Sequence, residues 1–183
     1  MTTVVRICDI HAGKVGLGDY GFKGWVKTHR QSKNVSFIEL SDGSSVKGLQ
    51  LVIEPSLKTY QSCAAEITTG SAIEVTGKLV ESPAKGQSHE FQVSDIHVLG
   101  TAAEDYPLQK KGHTLEFLRE ILHLRPRSNT LGASFRVRSK AAMAIHEFFQ
   151  SRGFVYAHTP IISTSDGEGA GDRPVPVRLR CVE

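Results

Sequence analysis

The residues of this chain whose types and spacing could do chemistry include an aromatic, an amide and a run of cations in neighbouring segments. Residues 35–40 alternate so that Ile38 and Leu40 share one face of a strand, while Val35, Phe37 and Glu39 share the other. If the aliphatic pair lines a core, Phe37 points outward. In the next segment Leu49, Leu51 and Ile53 fall on the core side, which turns Gly48, Gln50 and Val52 out. Lys23, Lys27, Arg30 and Lys33 form a basic cluster just upstream, opposed locally only by Asp19. An outward ring, an outward amide and a basic strand edge together make a surface for single-stranded nucleic acid. Bases stack on such a ring for about 1–3 kcal/mol each, and cations track phosphates. Each feature also has a plainer reading. Phe37 packed beneath a loop or against a second domain satisfies the same alternation, and a basic cluster alone describes a solvated face.

Other reactive groups form no constellation. Cys8, Cys63 and Cys181 are widely spaced and in no CxxC pair, which suits a reducing compartment and argues against a disulfide framework or a thiolate zinc site. The eight histidines show no ligand spacing such as HxxxH, so no metal site is assigned. Residues 167–171 are glycine-rich but lack the following Lys-Ser/Thr of a phosphate loop. No serine or cysteine stands in a nucleophile elbow, and no catalytic residue is assigned. Asn34-Val35-Ser36 is a glycosylation sequon by pattern only.

The elements that would position the aromatic surface are short strands. Residues 20–30, 35–40, 46–53, 71–81 and 89–99 read as strands, with a turn cluster at 41–44 and a less regular link at 55–65 holding one or two helical turns. Five strands in roughly eighty residues match a five-stranded Greek-key barrel of the OB type. An unrelated small barrel or sandwich has the same count, since strand number does not fix topology. After Gly100 the text changes. Residues 101–107 read as a linker, and 113–123 as a short helix with Leu115, Leu118 and Leu122 on one side, ended by Pro126. Residues 134–152 are the clearest helix, with Val137, Ala141, Ile145, Phe148 and Phe149 in one stripe and Gly153 as its cap. Residues 154–162 read as a strand interrupted by Pro160.

Composition bounds the answer. The chain has 183 residues, 39% hydrophobic and 22% charged, which fits a globular protein rather than a disordered one. That length suits one good domain or two small ones and is short for a multi-step enzyme. Ten basic residues face eleven acidic ones over 1–104, and twelve face eight over 105–183, so the net +3 is carried by the second part. No run of about 18 apolar residues could span a bilayer, and residues 1–18 contain no apolar core of a secretory signal. The expectation is a cytoplasmic protein without membrane contact.

Longer strings carry a family resemblance. Gly24-Trp25-Val26, residues 37–44 and residues 69–78 resemble the anticodon-binding barrel of the asparagine–tRNA ligases, class II aminoacyl-tRNA synthetases of the subgroup that includes aspartate and lysine. Tyr106-Pro107-Leu108, residues 116–120 and residues 123–129 look like the family's hinge and the opening of its catalytic domain. Residues 159–162, followed by 165–171, resemble the loop that closes over the amino acid. The Leu-Arg-Pro-Arg run and the Glu-Gly-Ala-Gly ending look like the asparagine enzyme rather than the aspartate one.

The resemblance implies an α+β chain: an OB barrel in 1–104, a hinge and the start of a class II catalytic domain in 105–172 with its motif 1 helix and strand, and an atypical tail in 173–183. It implies that Phe37 stacks on an anticodon base, that Gln50 reads one, and that Arg30 is a basic contact beside Lys23, Lys27 and Lys33. It implies that Ile145, Phe149, Gly153 and Pro160 belong to the motif 1 homodimer interface, and that Glu168 lies near the amino group of bound asparagine. Gly112 departs from the arginine usual in the family. Family chemistry uses ATP and Mg2+ to form an aminoacyl-adenylate before transfer to tRNA. Adenylate formation brings two anionic groups together, so fixed cations must offset their charge. The arginines of motifs 2 and 3 that do so are not among these 183 residues. The expectation is therefore that this chain alone is inactive and needs no cofactor, and that its tail reflects a frameshift, an early stop or an alternative transcript. The alternative is a stand-alone, non-catalytic RNA-binding barrel.

Overall fold

The computed structural model describes residues 5–83 and 86–158. Contacts divide the chain into two compact units, Met1–Val137 and Arg138–Glu183. In the first, strands β1 (Gly18–Arg30), β2 (Ser36–Ser41), β3 (Leu49–Ile53), β4 (Ala72–Glu81) and β5 (His89–Gly100) close a barrel in the order β1-β2-β3-β5-β4. This is the five-stranded barrel expected from the alternating text. All ladders are antiparallel except the short β3–β5 seam, where Leu51 faces Phe91 and Val52 faces Gln92.

The alternation fixes what is inside. Ser36, Ile38 and Leu40 of β2 and Leu49, Leu51 and Ile53 of β3 are buried, while the residues between them are half-buried on the outer face. Phe22 meets Phe91 edge to face across the core, ring centroids 4.9 Å apart. Three register shifts interrupt the pattern among the described residues, one of them at the end of β5, where Leu99 is skipped between Val98 and Gly100. In β5 the register skips Ser94, because Thr76 faces Asp95 and Gly77 faces Val93. A Cβ on Gly77 would lie 2.0 Å from the Gln92 carbonyl oxygen, so only glycine fits there. In β1 the register skips Lys27, because Val26 faces Leu40 and Thr28 faces Glu39.

One element goes beyond the sequence reading. Helix α1 (Ile7–His11) packs Ile7 and Ile10 into the barrel core, both fully buried. Its first turn is satisfied by the turn at 41–44: the Ile7 N–H donates to Asp42 Oδ2 at 2.8 Å and the Cys8 N–H to Ser44 Oγ at 3.0 Å. Asp42 Oδ1 in turn accepts from the Ser44 amide and hydroxyl. Helix α2 (Lys58–Cys63) supplies the helical turns expected in the link, and its buried Tyr60 reaches β1. His29 donates from Nδ1 to the Ile67 carbonyl at 2.8 Å, so its Nε2 accepts the Tyr60 hydroxyl at 2.8 Å. Burial pushes the Cys63 thiol up, with nearby Glu66 adding to the shift, which keeps it protonated rather than nucleophilic.

Beyond the barrel, helix α3 (Leu115–Glu120) starts on a Thr114 cap and buries Leu118, whereas Leu115 and Leu122 stay exposed. It is shorter than the 113–123 expected, and Pro126 does not end it; that proline sits inside a 3-10 turn, Arg125–Arg127. Helix α4 (Asn129–Gln150) begins five residues earlier than the 134 expected, because Ser128 caps it: its Oγ accepts the Leu131 N–H and donates to the Arg125 carbonyl at 2.7 Å. Gly153 follows with φ +82°, the left-handed cap anticipated. Residues 154–158 are irregular, and the rest of the strand read at 154–162, with Pro160, lies outside the described residues. Glu168 and the tail 173–183 lie outside them too.

Helix α1 is expected to be part of the cooperative core. Ile7→Ala should lower unfolding free energy by about 2–5 kcal/mol in a urea titration; an unchanged midpoint would show that α1 does not pack there.

Candidate nucleic-acid interface

Strands β1, β2 and β3 present the candidate site on their outer face. The ladder sets Arg30 opposite Phe37, and Phe37 opposite Val52. The next outward row is Thr28, Glu39 and Gln50. Gln50 is therefore a diagonal neighbour of Phe37, about 7–8 Å away across the sheet, within reach of one base and its edge. The bulge at Lys27 creates this arrangement. With strict alternation from Phe22 and Val26, Arg30 would point into the barrel; the extra residue flips the phase, leaving His29 inside and Arg30 out.

These side chains line one groove of about 530 Å³, together with Glu39, Lys47, His11 and His89. Phe37 and Gln50 are half-buried in its floor, and Arg30 and Lys47 are exposed at its rim. Gly48 lets the β2–β3 connection run close against β2: a Cβ there would lie 2.6 Å from Glu39 Cγ and 2.7 Å from the Leu40 carbonyl oxygen.

The basic cluster splits into two kinds of residue. Lys27 is tied down: its ammonium donates to Glu39 Oε1 at 3.0 Å, to the Val46 carbonyl at 3.1 Å and to Asn129 Oδ1 at 3.2 Å. Those three acceptors use its three protons, so Lys27 locks the bulge to the sheet and to the start of α4. Lys23 pairs with Glu74 at 3.0 Å on the neighbouring strand. Among the described residues Arg30, Lys33 and Lys47 have no carboxylate partner. Only Arg30 of the four cations expected from sequence lines the groove. Lys47, His11 and His89 line it without having been singled out, because they lie far apart in sequence and in no shared motif.

The pairing also decides the sign of the site. Glu39 would repel an anion, but Oε1 accepts from Lys27 and from the Gly48 N–H at 3.3 Å. Among the described residues the groove keeps two unpaired cations and an offset carboxylate. No cluster of three His, Cys, Asp or Glu among the described residues could hold a metal ion.

Residues 21–99 match the family model of the OB-fold nucleic acid binding domain, and residues 114–181 match that of class II tRNA synthetases for D, K and N. The chain is 54% identical to the asparagine–tRNA ligase of Geobacter metallireducens, over 94% of this chain and 37% of that protein. By sequence, this chain is similar to the asparagine–tRNA ligases over nearly its whole length. It is likewise 57% identical to the Phocaeicola vulgatus enzyme of that name, over 81% of this chain and 32% of the relative. The chain thus spans about a third of the length of the relatives it matches. The synthetase match extends to residue 181, across most of the segment set apart as an atypical tail.

Solved structures agree on the fold. The Entamoeba histolytica asparaginyl-tRNA synthetase in complex with asparaginyl-adenylate superposes with TM-score 0.70 at 23% identity, over 80% of this chain and 36% of that one. The Pyrococcus horikoshii asparaginyl-tRNA synthetase gives 0.68 at 22%, over 80% and 35%.

The division of labour among the cations is testable. Lys27→Gln should cost about 1 kcal/mol of stability, the scale of a charged hydrogen bond discounted for partial exposure. Because Lys27→Gln alone would unmask Glu39, the salt dependence of RNA binding is read in the variant carrying both Lys27→Gln and Glu39→Gln, which should match wild type. A shallower salt dependence in that pair variant would show that Lys27 contacts phosphate after all.

Proposed function

We propose that this chain supplies the anticodon-binding part of an asparagine–tRNA ligase, an enzyme that uses ATP to activate asparagine and join it to its tRNA. The observation that carries this reading is the single groove uniting Arg30, Phe37 and Gln50 on the outer barrel face. Phe37 stacks on an anticodon base, the Gln50 amide reads a base edge, and Arg30, with Lys33 further out, attracts the phosphates. On this reading residues 1–104 are the recognition domain and 105–172 open the catalytic domain. The described residues form no metal cluster, and the groove gathers no set of cations suited to a triphosphate, so no step involving ATP or Mg2+ is assigned to them.

The second unit supports a homodimer. On its part of α4, Met143, Ile145, Phe148 and Phe149 are exposed, and Phe154 packs edge to face on Phe149 at 5.4 Å. Ile145, Phe149 and Phe154 line an apolar hollow of about 300 Å³. A contiguous exposed patch of this kind marks an interaction surface. Ile145, Phe149, Gly153 and Pro160 form the proposed interface, and Glu168 the proposed contact to the amino acid. No helix among the described residues is long and apolar enough to cross a membrane, and a cytoplasmic location follows from the proposed role.

Phe37→Ala should weaken binding of an asparagine-tRNA anticodon stem-loop by about 1–3 kcal/mol in fluorescence titration; equal binding by variant and wild type would sink the stacking role. The 183 residues alone should show no ATP- and asparagine-dependent charging of tRNA, and measurable charging would contradict that. In light scattering the chain should self-associate, and Ile145→Glu with Phe149→Glu should reduce it; a monodisperse wild-type monomer would count against the interface.

A further inference from the structure

Lys47 stands apart from the other groove residues. It precedes β3, two residues before Leu49, so it lies toward the end of the groove remote from the Arg30–Phe37 row. It is exposed and has no carboxylate partner among the described residues. The nearest acid of the groove, Glu39, is already held by Lys27 and by the amide of Gly48, the residue next to Lys47. The ammonium therefore faces the groove without a local counter-charge, which is the electrostatic requirement for a phosphate contact.

The backbone of Lys47 is held by a side chain from a different element. His11, the last residue of α1, places Nε2 at 3.3 Å from the Lys47 carbonyl. A carbonyl can only accept, so Nε2 carries the proton and donates. Helix α1 is anchored by buried Ile7 and Ile10, and its first amides bond to Asp42 and Ser44 of the same β2–β3 connection. The connection is thus pinned at both ends by α1: at 42–44 through the helix start and at 47 through His11.

We propose that Lys47, seated by His11, is a second phosphate contact at the far end of the groove from Arg30, so that an RNA strand is gripped at both ends of the stacking surface. His11 is a positioning residue here and does not itself touch the RNA. This inference rests on the anticodon-surface reading above, and it extends that surface to two elements, α1 and the β2–β3 connection.

The test is the salt dependence of binding to the asparagine-tRNA anticodon stem-loop, measured on the whole chain. Lys47→Gln should make the slope of log K against log salt shallower by about 0.7, the value for one phosphate contact on a single strand. Arg30→Gln should do the same, the double variant should add the two, and Lys58→Gln, on α2 outside the groove, should change nothing. His11→Ala should shift the slope toward that of Lys47→Gln but have no further effect in the Lys47→Gln background. His11→Gln, which keeps a side-chain N–H for the Lys47 carbonyl, should restore it. An unchanged slope in Lys47→Gln, with Phe37→Ala still weakening binding, overturns the Lys47 contact and leaves the anticodon reading standing. Loss of the Phe37 effect removes both. An equal His11→Ala effect with and without Lys47 overturns the positioning role.

Discussion

The site depends on one extra residue in β1. At Lys27 the strand takes two residues to cover the step that β2 covers in one, and every side chain after it changes face. Before the bulge Phe22 and Val26 fill the barrel; after it His29 turns in to bond Tyr60 and Ile67, and Arg30 turns out beside Phe37. A bulge leaves a residue unpaired in the ladder, and here that residue is a lysine whose ammonium finds three acceptors. The same ammonium offsets Glu39, the one carboxylate among the described residues that line the groove. Geometry and sign of the surface are therefore set by a single local irregularity.

The core reaches the surface by short routes. Leu40 and Leu49 are buried, and immediately beyond them the β2–β3 connection carries Asp42, Ser44, Lys47 and Gly48. Asp42 and Ser44 cap α1, α1 plugs the barrel with two isoleucines, and His11 at its far end returns to Lys47. From the other side of the same region, the Arg136 guanidinium of α4 bonds the Gly43 carbonyl, and Arg127 stacks over Trp25 at 4.6 Å while its Nη1 reaches the Tyr106 hydroxyl at 3.4 Å. A groove walled by anchored loops loses little freedom when a flexible strand binds, which favours affinity.

The barrel was legible in the sequence because a half-buried strand must alternate, and Ile38, Leu40, Leu49, Leu51 and Ile53 do so without exception. Phe37 and Gln50 followed from the same rule. The cations were not legible in the same way. Lys27 and Arg30 are equivalent as text, yet one is a structural clamp and the other a free charge, since a bulge leaves no mark in a hydrophobic pattern. Helix α1 is five residues long, too short for a periodic signal, and shows itself only through packing. His11 and Lys47 are 36 residues apart and meet only once the barrel closes. The start of α4 lies ahead of the apolar stripe, where Asn129, Thr130 and Gly132 are weak helix formers and the Ser128 cap decides the boundary.

Amide chemical-shift mapping on the nitrogen-labelled chain, titrated with the asparagine-tRNA anticodon stem-loop, tests the central claim most directly. The account predicts that the largest perturbations fall on Arg30, Phe37, Gln50 and the 47–48 segment, with Lys27, Trp25 and the β4–β5 outer face little changed. Perturbations centred on the β4–β5 face or on α4, with the β1–β2–β3 groove silent, would contradict it.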